Sequence, residues 1–257
     1  MLPTPCTSHV SFDTIYEPSE DSYLFLDTLS SAPESAWLAA RFNSTTASAA
    51  PLIVEVGSGS GVVLGFVAAN SHDIFRRRDV LTLSTDVNRN ACLATRETAR
   101  KAIHDRQQPP QTTHLASLMA DLAAPLRPGS VDVLLFNPPY VPTEDLPRLP
   151  SATEQDRIPD EASRSAKFER DSYFLSLTYA GGRDGMETTD RLLEEIPRVL
   201  DAARGVAYVL LCAQNKPAEV RERIRAWGDG WNAVFVGNSG VQAGWEKLVI
   251  VRIWRDV

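Results

Sequence analysis

Four consecutive residues, Asn137-Pro138-Pro139-Tyr140, directly follow the apolar run 131–136 and have the chemistry to bind a planar nitrogen group. The carboxyl end of a buried strand lies at the sheet edge where α/β proteins build their sites. Two successive prolines fix φ and remove two backbone donors, so the loop offers acceptors: the Asn137 side-chain oxygen and the Pro138 carbonyl oxygen. An –NH2 group has two hydrogens for two such acceptors, and Tyr140 adds a flat face beside them. We therefore predict that this loop, NPPY, binds an amide or an exocyclic amine.

A glycine-rich turn, Gly57-Ser-Gly59-Ser-Gly61, follows a second apolar run at 52–56 and precedes a predicted helix. Glycine has no Cβ, so it allows the backbone to approach a ligand closely. The spacing differs from the GxGxxG of dinucleotide-binding turns, in which the third glycine comes one place later. Taken alone, the pattern is also compatible with a tight strand-to-helix turn that binds nothing.

Acidic residues stand at the ends of three predicted strands. Glu55 lies just before the first glycine, Asp86 ends the next strand, and Asp121 with Leu122 follows the third. A carboxylate in the place of Asp86 can accept from both hydroxyls of a ribose, and Asp121 could accept from an adenine amino group. Each acid alone could instead cap a helix. Polar residues at four successive strand ends, Asn137 included, indicate one shared site.

The composition is that of an acidic globular protein. The 257 residues are 43% hydrophobic and 23% charged, and the formal net charge is −7. This charge argues against a broad phosphate-binding surface, since non-specific nucleic-acid affinity comes mainly from clustered Lys and Arg. The arginine triplet 76–78 could form a local basic patch, but a short charge run more often caps a helix C-terminus or is solvated.

Neither the three cysteines nor the four histidines have the spacing of a metal site. A sparse, odd number of cysteines fits a reducing compartment. The N-terminus lacks the charged start and apolar stretch of a signal peptide, and the apolar runs are too short to span a bilayer. We expect a soluble cytoplasmic protein without a bound metal.

Alternating apolar strands and amphipathic helices from residue 52 onward predict a Rossmann-like α/β fold. Strands are expected at 52–56, 80–85, 112–116, 131–136 and 206–212, and helices near 17–29, 61–70, 88–104, 187–203 and 216–227. Two further runs, 231–236 and 248–254, should pair as an antiparallel C-terminal hairpin. The predicted architecture is one domain over 1–257, a mostly parallel seven-stranded sheet with helices on both faces. Residues 1–50 would form an N-terminal helical extension, and residues 141–180 a long loop or lid.

The glycine turn and the acidic strand ends resemble those of the class I methyltransferases, which have a Rossmann-like fold and bind S-adenosylmethionine. The resemblance implies that Glu55 and Gly57 lie beside the amino-acid part of the cofactor, Asp86 on the ribose and Asp121 at the adenine. Methyl transfer from a sulfonium needs no activating metal, since the leaving group departs neutral. The rest of the implied cofactor set is Ser22, Gly59, Gly61, Leu122 and Asn137.

Three stretches besides NPPY narrow the resemblance: 16–22 (YEPSEDS), 55–65 (EVGSGSGVVLG) and 180–185 (AGGRDG). Together they are similar to the HemK-like release-factor glutamine methyltransferases, in particular to their short eukaryotic and archaeal form. These enzymes methylate the side-chain amide nitrogen of the glutamine in the GGQ motif of a class I translation termination factor. The resemblance implies a heterodimer with a small zinc-binding activator protein, and catalytic roles for the four residues of the NPPY loop.

The residues alone leave the partner surface and the substrate open. In the usual strand order of this fold the strand at 112–116 lies at a sheet edge. There, Leu115, Leu118 and Met119 could bind a partner chain unless the loop 104–111 covers them. The acceptors of the NPPY loop would also fit an adenine amino group in DNA or RNA, and less well a histone lysine, whose amine is tetrahedral. A non-catalytic module that keeps the cofactor pocket is the remaining alternative.

Overall fold

The computed structural model describes residues 2–43, 49–149, 164–228, 230–240 and 247–256. Its centre is one seven-stranded sheet in the order β3-β2-β1-β4-β5-β7-β6. The strands are β1 (Leu52–Val56), β2 (Leu81–Asp86), β3 (Thr113–Met119), β4 (Val133–Phe136), β5 (Val206–Cys212), β6 (Trp231–Asn238) and β7 (Leu248–Arg255).

The first five strands pair in parallel, whereas β7 runs antiparallel to both of its neighbours, β5 and β6. The predicted Rossmann-like sheet with an antiparallel C-terminal hairpin is therefore confirmed. Two predicted strands need correction. The third continues to Met119, beyond the expected end at 116, and the fourth begins at Val133, because Val131 forms only an isolated bridge with Leu200.

Helices cover both faces of the sheet, as predicted. In the described ranges they are α1 (Glu20–Ser30), α2 (Ala32–Phe42), α3 (Val62–Ala69), α4 (Ser71–Phe75), α5 (Arg89–Arg106), α6 (Arg164–Tyr179), α7 (Glu187–Val199) and α8 (Pro217–Arg225). The predicted helix over 187–203 ends early, at Val199, and α4 lies outside the predicted helices. Across these ranges, every helix is too short or too polar to cross a membrane.

Residues 164–179 form α6, so the prediction of a long loop over 141–180 is wrong for this part of the chain. Charged and polar residues interrupt the apolar residues of this helix, and within it Phe174 alone is buried. The helix therefore lacks the apolar stripe by which a sequence pattern is recognised. Residues 150–163 of the expected loop lie outside the described residues.

The core lies in two layers, one on each face of the sheet. Residues of β4 alternate between them: Val133 and Leu135 pack with α1, α2 and α3 on one face, and Leu134 and Phe136 pack with α7 and α8 on the other. Alternation of this kind follows from the period of two in a strand. The central strands are thus buried on both faces, which fixes the level at which their carboxyl ends emerge.

Within the arginine triplet 76–78, Arg77 is buried in the fold, whereas Arg76 and Arg78 are exposed. Arg76 is the C-cap of α4, as one alternative predicts, and the Arg77 side chain is buried. Arg77 pairs with Asp79 at 2.6 Å and donates to the Phe42 carbonyl at 3.0 Å. The Arg77 guanidinium is therefore bound by groups of the protein itself.

A buried ion pair fastens α2 to the sheet. Glu34 of α2 accepts hydrogen bonds of 2.8 and 3.0 Å from the Arg252 guanidinium of β7 and another from the Tyr208 hydroxyl of β5. Arg252 also lies over the rings of Trp37 and Trp254, at 4.0 and 4.8 Å from their centroids. Burial raises the pKa of Tyr208 well above its ordinary value, and the carboxylate of Glu34 raises it further.

We expect Glu34→Ala to lower the free energy of unfolding by roughly 3–5 kcal/mol, because it leaves the buried Arg252 charge without a partner. Urea denaturation followed by circular dichroism measures this loss. Glu97→Ala, which breaks an exposed and solvent-screened pair with Arg100, is the control and should leave the free energy of unfolding nearly unchanged. Equal losses in the two variants would show that α2 is not held by this pair.

Candidate active site

The register of the parallel strands brings the predicted site residues together at one edge of the sheet. The last residue of β1 pairs with Thr85 of β2 on one side and with Phe136 of β4 on the other. The residues that follow, Gly57, Asp86 and Asn137, therefore leave three adjacent strands at the same level. A cavity of about 460 Å³ is built on this edge.

All of the predicted site residues except Gly61 line this cavity. At Gly61 an added Cβ would lie 2.6 Å from the Thr95 Cα, so this glycine allows the start of α3 to pack against α5. The structure thus separates the glycine turn into a part that faces the cavity and a part that serves packing. The predicted site residues that line the cavity are Ser22, Glu55, Gly57, Gly59, Asp86, Asp121, Leu122, Asn137, Pro138, Pro139 and Tyr140.

Glu55 is buried in the cavity wall and also binds the start of α3. Its Oε2 accepts a 3.0 Å hydrogen bond from the Leu64 backbone N–H, one of the donors that a helix leaves free in its first turn. Burial raises the pKa of this carboxyl well above its ordinary value; the Leu64 N–H opposes the rise and the charge of Asp86 adds to it. Glu55 is therefore both a helix cap and a cavity residue.

Backbone amides hold the Asp86 carboxylate in place. Its Oδ2 accepts from the Gly59 N–H at 3.0 Å, and its Oδ1 accepts from the Asn88 N–H at 2.8 Å. The side chain of Asn88 caps α5 by accepting from the Asn90 N–H, so Asp86 itself is not the helix cap. Burial raises the pKa of Asp86, against the effect of the backbone amides of Asn88, Gly59 and Val87. A carboxylate has about four acceptor positions, which leaves room for ligand hydroxyls.

The third acidic residue is engaged in an ion pair that no local pattern signals. The Asp121 carboxylate binds the guanidinium of Arg191 on α7, and both side chains line the cavity. Beside them Leu122 has a left-handed backbone with φ of 47°. The Thr85 hydroxyl donates to the Leu122 carbonyl at 2.9 Å and holds this turn in place.

The NPPY loop carries an acceptor that has no partner among the described residues. Asn137 Oδ1 is shielded from water and makes no hydrogen bond there. A buried acceptor without a partner costs roughly 1–3 kcal/mol, which a donor supplied by a ligand would remove. Pro138 is buried, and Pro139 and Tyr140 are half-buried, so the loop lies against the sheet edge.

Further parts of the cavity wall come from residues outside the predicted site set. The N-terminal segment, the segment after the NPPY loop and α6 each contribute to it. Only the first of these overlaps a stretch with a recognisable pattern, YEPSEDS, through Tyr16. These residues are Thr14, Ile15, Tyr16, Leu146, Pro147, Leu149, Phe174 and Leu177.

The side chains of the cavity are suited to bind and orient ligands. Its described lining contains acidic and amide acceptors, and no His or Lys that could act as a base. Within the part of the chain that the structure describes, no group of three or more His, Cys, Asp or Glu side chains could hold a metal ion. Such a site can align two ligands by hydrogen bonding and so favour reaction between them.

Relatives of similar length exist among known proteins. Methyltransferase HEMK2 of Mus musculus is 31% identical over 259 residues, which cover 98% of this chain and 96% of that protein. The eRF1 methyltransferase catalytic subunit mtq2 of Schizosaccharomyces pombe is 31% identical over 263 residues, with coverages of 99% and 96%. No family model matches the chain.

A solved structure has the same fold. In the E. cuniculi Mtq2-Trm112 complex, described as responsible for methylation of the eRF1 translation termination factor, the matched chain is 20% identical with a TM-score of 0.52. The match covers 95% of this chain and 99% of that chain. HEMK2 and mtq2 are each 31% identical to this chain over nearly its full length, which confirms the resemblance inferred from the motifs. This chain belongs to the HEMK2/Mtq2 family of Rossmann-like methyltransferases.

Proposed function

We propose that this chain transfers a methyl group from S-adenosylmethionine to the side-chain amide nitrogen of the glutamine in the GGQ motif of a class I translation termination factor. The observation that carries the proposal is the buried, unpaired Oδ1 of Asn137, one strand away from the glycine turn. The name of the Schizosaccharomyces pombe relative supports the same substrate. We place the reaction in the cytoplasm, where translation terminates.

The residues of the cavity fit this cofactor. The ribose hydroxyls can donate to the Asp86 carboxylate, which also accepts from backbone amides. The ammonium group of the amino-acid part can donate to Glu55, and the adenine amino group to Asp121 on the far side of Asp86. When bound, the cofactor supplies an electrophilic methyl group on a sulfonium sulfur.

The residues of the NPPY loop position the nucleophile. Asn137 Oδ1 and the Pro138 carbonyl oxygen accept the two hydrogens of the glutamine amide, which turns the electron density of the nitrogen towards the methyl carbon. Because Oδ1 is shielded from water, the amide reaches it only after the Asn137 side chain turns or the residues above it move. Tyr140 packs against the flat amide. The methylated amide loses its proton readily, so no basic side chain is required.

Tandem mass spectrometry tests this function. A purified termination factor is incubated with the chain, a Trm112-type subunit and methyl-labelled S-adenosylmethionine, beside an oligonucleotide and a histone. We expect label on the side chain of the GGQ glutamine and none after that glutamine is replaced by alanine. Label on adenine or lysine together with an unmodified glutamine would contradict the proposal.

We expect Asn137→Ala to bind the cofactor normally and to lose turnover. Removing one preorganised hydrogen-bonding group from such a site costs about 3 kcal/mol in the barrier, which corresponds to about a 100-fold lower kcat. Single-turnover kinetics and calorimetric titration of the cofactor measure the two quantities. Asn232→Ala, at a surface strand remote from the cavity, is the control; turnover of Asn137→Ala within threefold of this control would remove Asn137 from catalysis.

Cofactor affinity should increase with pH. In the free chain burial raises the pKa of Glu55 and of Asp86, so both carboxyls take up protons above the usual range for acids near pH 4. The cofactor's hydroxyl and ammonium donors favour the ionised carboxylates, so binding should release protons and weaken as pH falls through the raised pKa values.

Calorimetric titrations between pH 5 and pH 8 measure this dependence of the cofactor Kd. Asp86→Asn should weaken binding most at the high end of the range and flatten the profile. Asp190→Asn, at an exposed pair with Arg223, is the control and should follow the wild-type profile. A wild-type Kd that is constant over this range would show that neither carboxyl binds the cofactor.

We also propose that β3 binds a small zinc-binding activator. β3 is an edge strand, and its Leu115 and Met119 side chains are 51% and 45% exposed, whereas Leu118 is half-buried. In the stretch 104–111, the candidate cover for β3, residues 104–106 belong to α5. The next side chain, Gln107, is buried and donates to a backbone carbonyl in α3 at 2.9 Å. An open edge with apolar side chains is a template for another chain. The Mtq2-Trm112 complex supports a partner of this kind.

Leu115→Asp should weaken binding of a Trm112-type subunit at least tenfold, because burial of one large apolar side chain contributes about 1.5–3 kcal/mol. Co-purification and calorimetry measure the loss. Phe235→Asp, at a 38% exposed position on the opposite edge strand β6, is the matched control and should bind normally. If both variants bind as tightly as the wild type, the partner occupies another surface.

A further inference from the structure

We infer that Asn215 is a positioning residue, which fixes the carboxyl end of the NPPY loop by binding the Tyr140 carbonyl oxygen; this rests on the proposed role of that loop. Asn215 lies in a short 3-10 turn, 213–215, directly after β5, and it is 1% exposed. It does not line the cavity, so it acts through the loop and not on a ligand.

The orientation of the Asn215 amide is set by its surroundings. Its Oδ1 accepts a 2.7 Å hydrogen bond from the Cys212 backbone N–H, which can be bound only by an acceptor. The –NH2 group must therefore face the opposite way. There it donates to the carbonyls of Asp184 at 2.9 Å, Tyr140 at 3.1 Å and Gly185 at 3.3 Å. Its two hydrogens match the two shorter of these contacts.

The stretch AGGRDG lets the backbone approach the NPPY loop closely enough for this bond. At Gly185, with φ of 68°, an added Cβ would lie 2.0 Å from the Tyr140 carbonyl oxygen and 2.7 Å from Asn215 Nδ2. At Gly181 it would lie 2.5 Å from the Pro139 carbonyl oxygen. Any other residue type at either position would push the loop away, so these two glycines allow the close approach to the loop.

Backbone bonds continue the attachment beyond Tyr140. The Val141 N–H donates to the Tyr179 carbonyl at 2.9 Å, and the Val141 carbonyl accepts from the Gly181 N–H at 2.8 Å. The Thr143 N–H donates to the Gly182 carbonyl at 3.0 Å. The three residues 138–140 are thus held at one end by β4 and at the other by Asn215 and this backbone ladder.

Loss of Asn215 should therefore displace the acceptors of the NPPY loop and leave cofactor binding unchanged. The carboxylates proposed to bind the cofactor lie at or after the ends of β1, β2 and β3, whereas this attachment follows β4 and β5. In a reaction that depends on alignment, a misplacement of about 1 Å can cost about 100-fold in rate. We expect Asn215→Ala to lower kcat by about 10-fold to 100-fold, with the cofactor Kd and the KM for the termination factor nearly unchanged.

The chain offers a matched control in Asn70. It is also 1% exposed, and its side-chain nitrogen donates to the Phe66 and Pro3 carbonyls at 2.9 and 3.3 Å, remote from the cavity. Asn70→Ala should lower the free energy of unfolding by about as much as Asn215→Ala does, because both remove the hydrogen bonds of a buried amide. Unlike Asn215→Ala, it should leave kcat unchanged. If Asn215→Ala has the wild-type kcat, or if Asn70→Ala loses kcat equally, the inference is overturned.

The conservative variant Asn215→Asp separates positioning from packing. It keeps the shape and the acceptor for Cys212, but sets a carboxylate oxygen against the three carbonyls that the –NH2 group binds. Protonation of that carboxyl restores one donor, so kcat relative to the wild type should recover as pH falls. A kcat equal to that of the wild type at every pH would show that the donor is irrelevant.

Amide hydrogen exchange tests the role of Asn215 without any substrate. Measured without termination factor, exchange at the Val141 and Thr143 amides should be faster in Asn215→Ala than in the wild type, and unchanged in Asn70→Ala. A wild-type chain that does not label the GGQ glutamine would contradict the proposed function alone. Unchanged exchange in Asn215→Ala would contradict the role of Asn215 alone.

Discussion

The in-register parallel pairing of β1 with β2 and β4 is the constraint on which the site depends. Because the last residue of β1 is level with Thr85 and Phe136, the glycine turn, Asp86 and Asn137 emerge side by side. A shift of one residue in either pairing would reverse the side chains of that strand between the two faces and bury one of these groups. The two-layered core, which packs alternate residues of β4 on opposite faces, is what prevents such a shift.

Two kinds of groups meet at this edge, and burial acts on them differently. The carboxyls of Glu55 and Asp86 are partly satisfied by backbone amides, and burial still raises the pKa of each. Asn137 is neutral and carries an oxygen without a partner among the described residues. The two carboxyls suit a ligand with positive charge and hydroxyls, and the Asn137 oxygen suits a neutral amide. Alignment of two such ligands accounts for methyl transfer without a basic side chain or a metal.

The sequence predicts those parts of the molecule that are encoded by local patterns. The apolar runs, the glycine turn and the NPPY loop are contiguous, so the sheet and its polar strand ends follow from them. Long-range pairs leave no such signal: Asp121 and Arg191 lie 70 residues apart, and Glu34 and Arg252 lie 218 residues apart.

Helix α6 and the network around Asn215 are also beyond local patterns. Charged residues interrupt the apolar ones of α6, whose burial depends on the cavity that it covers. An asparagine shortly after a strand is common in turns, and its three carbonyl partners come from two distant segments. The AGGRDG stretch is visible in the sequence, but its purpose is evident only from its distance to the Tyr140 carbonyl.

A crystal structure of the chain with S-adenosylhomocysteine and a peptide containing the GGQ sequence tests the central claim most directly. We expect the glutamine side-chain nitrogen within about 3 Å of both Asn137 Oδ1 and the Pro138 carbonyl oxygen, with the cofactor sulfur beyond it. A complex in which the amide is bound elsewhere, while Asn137 Oδ1 stays buried and unpaired, would contradict it.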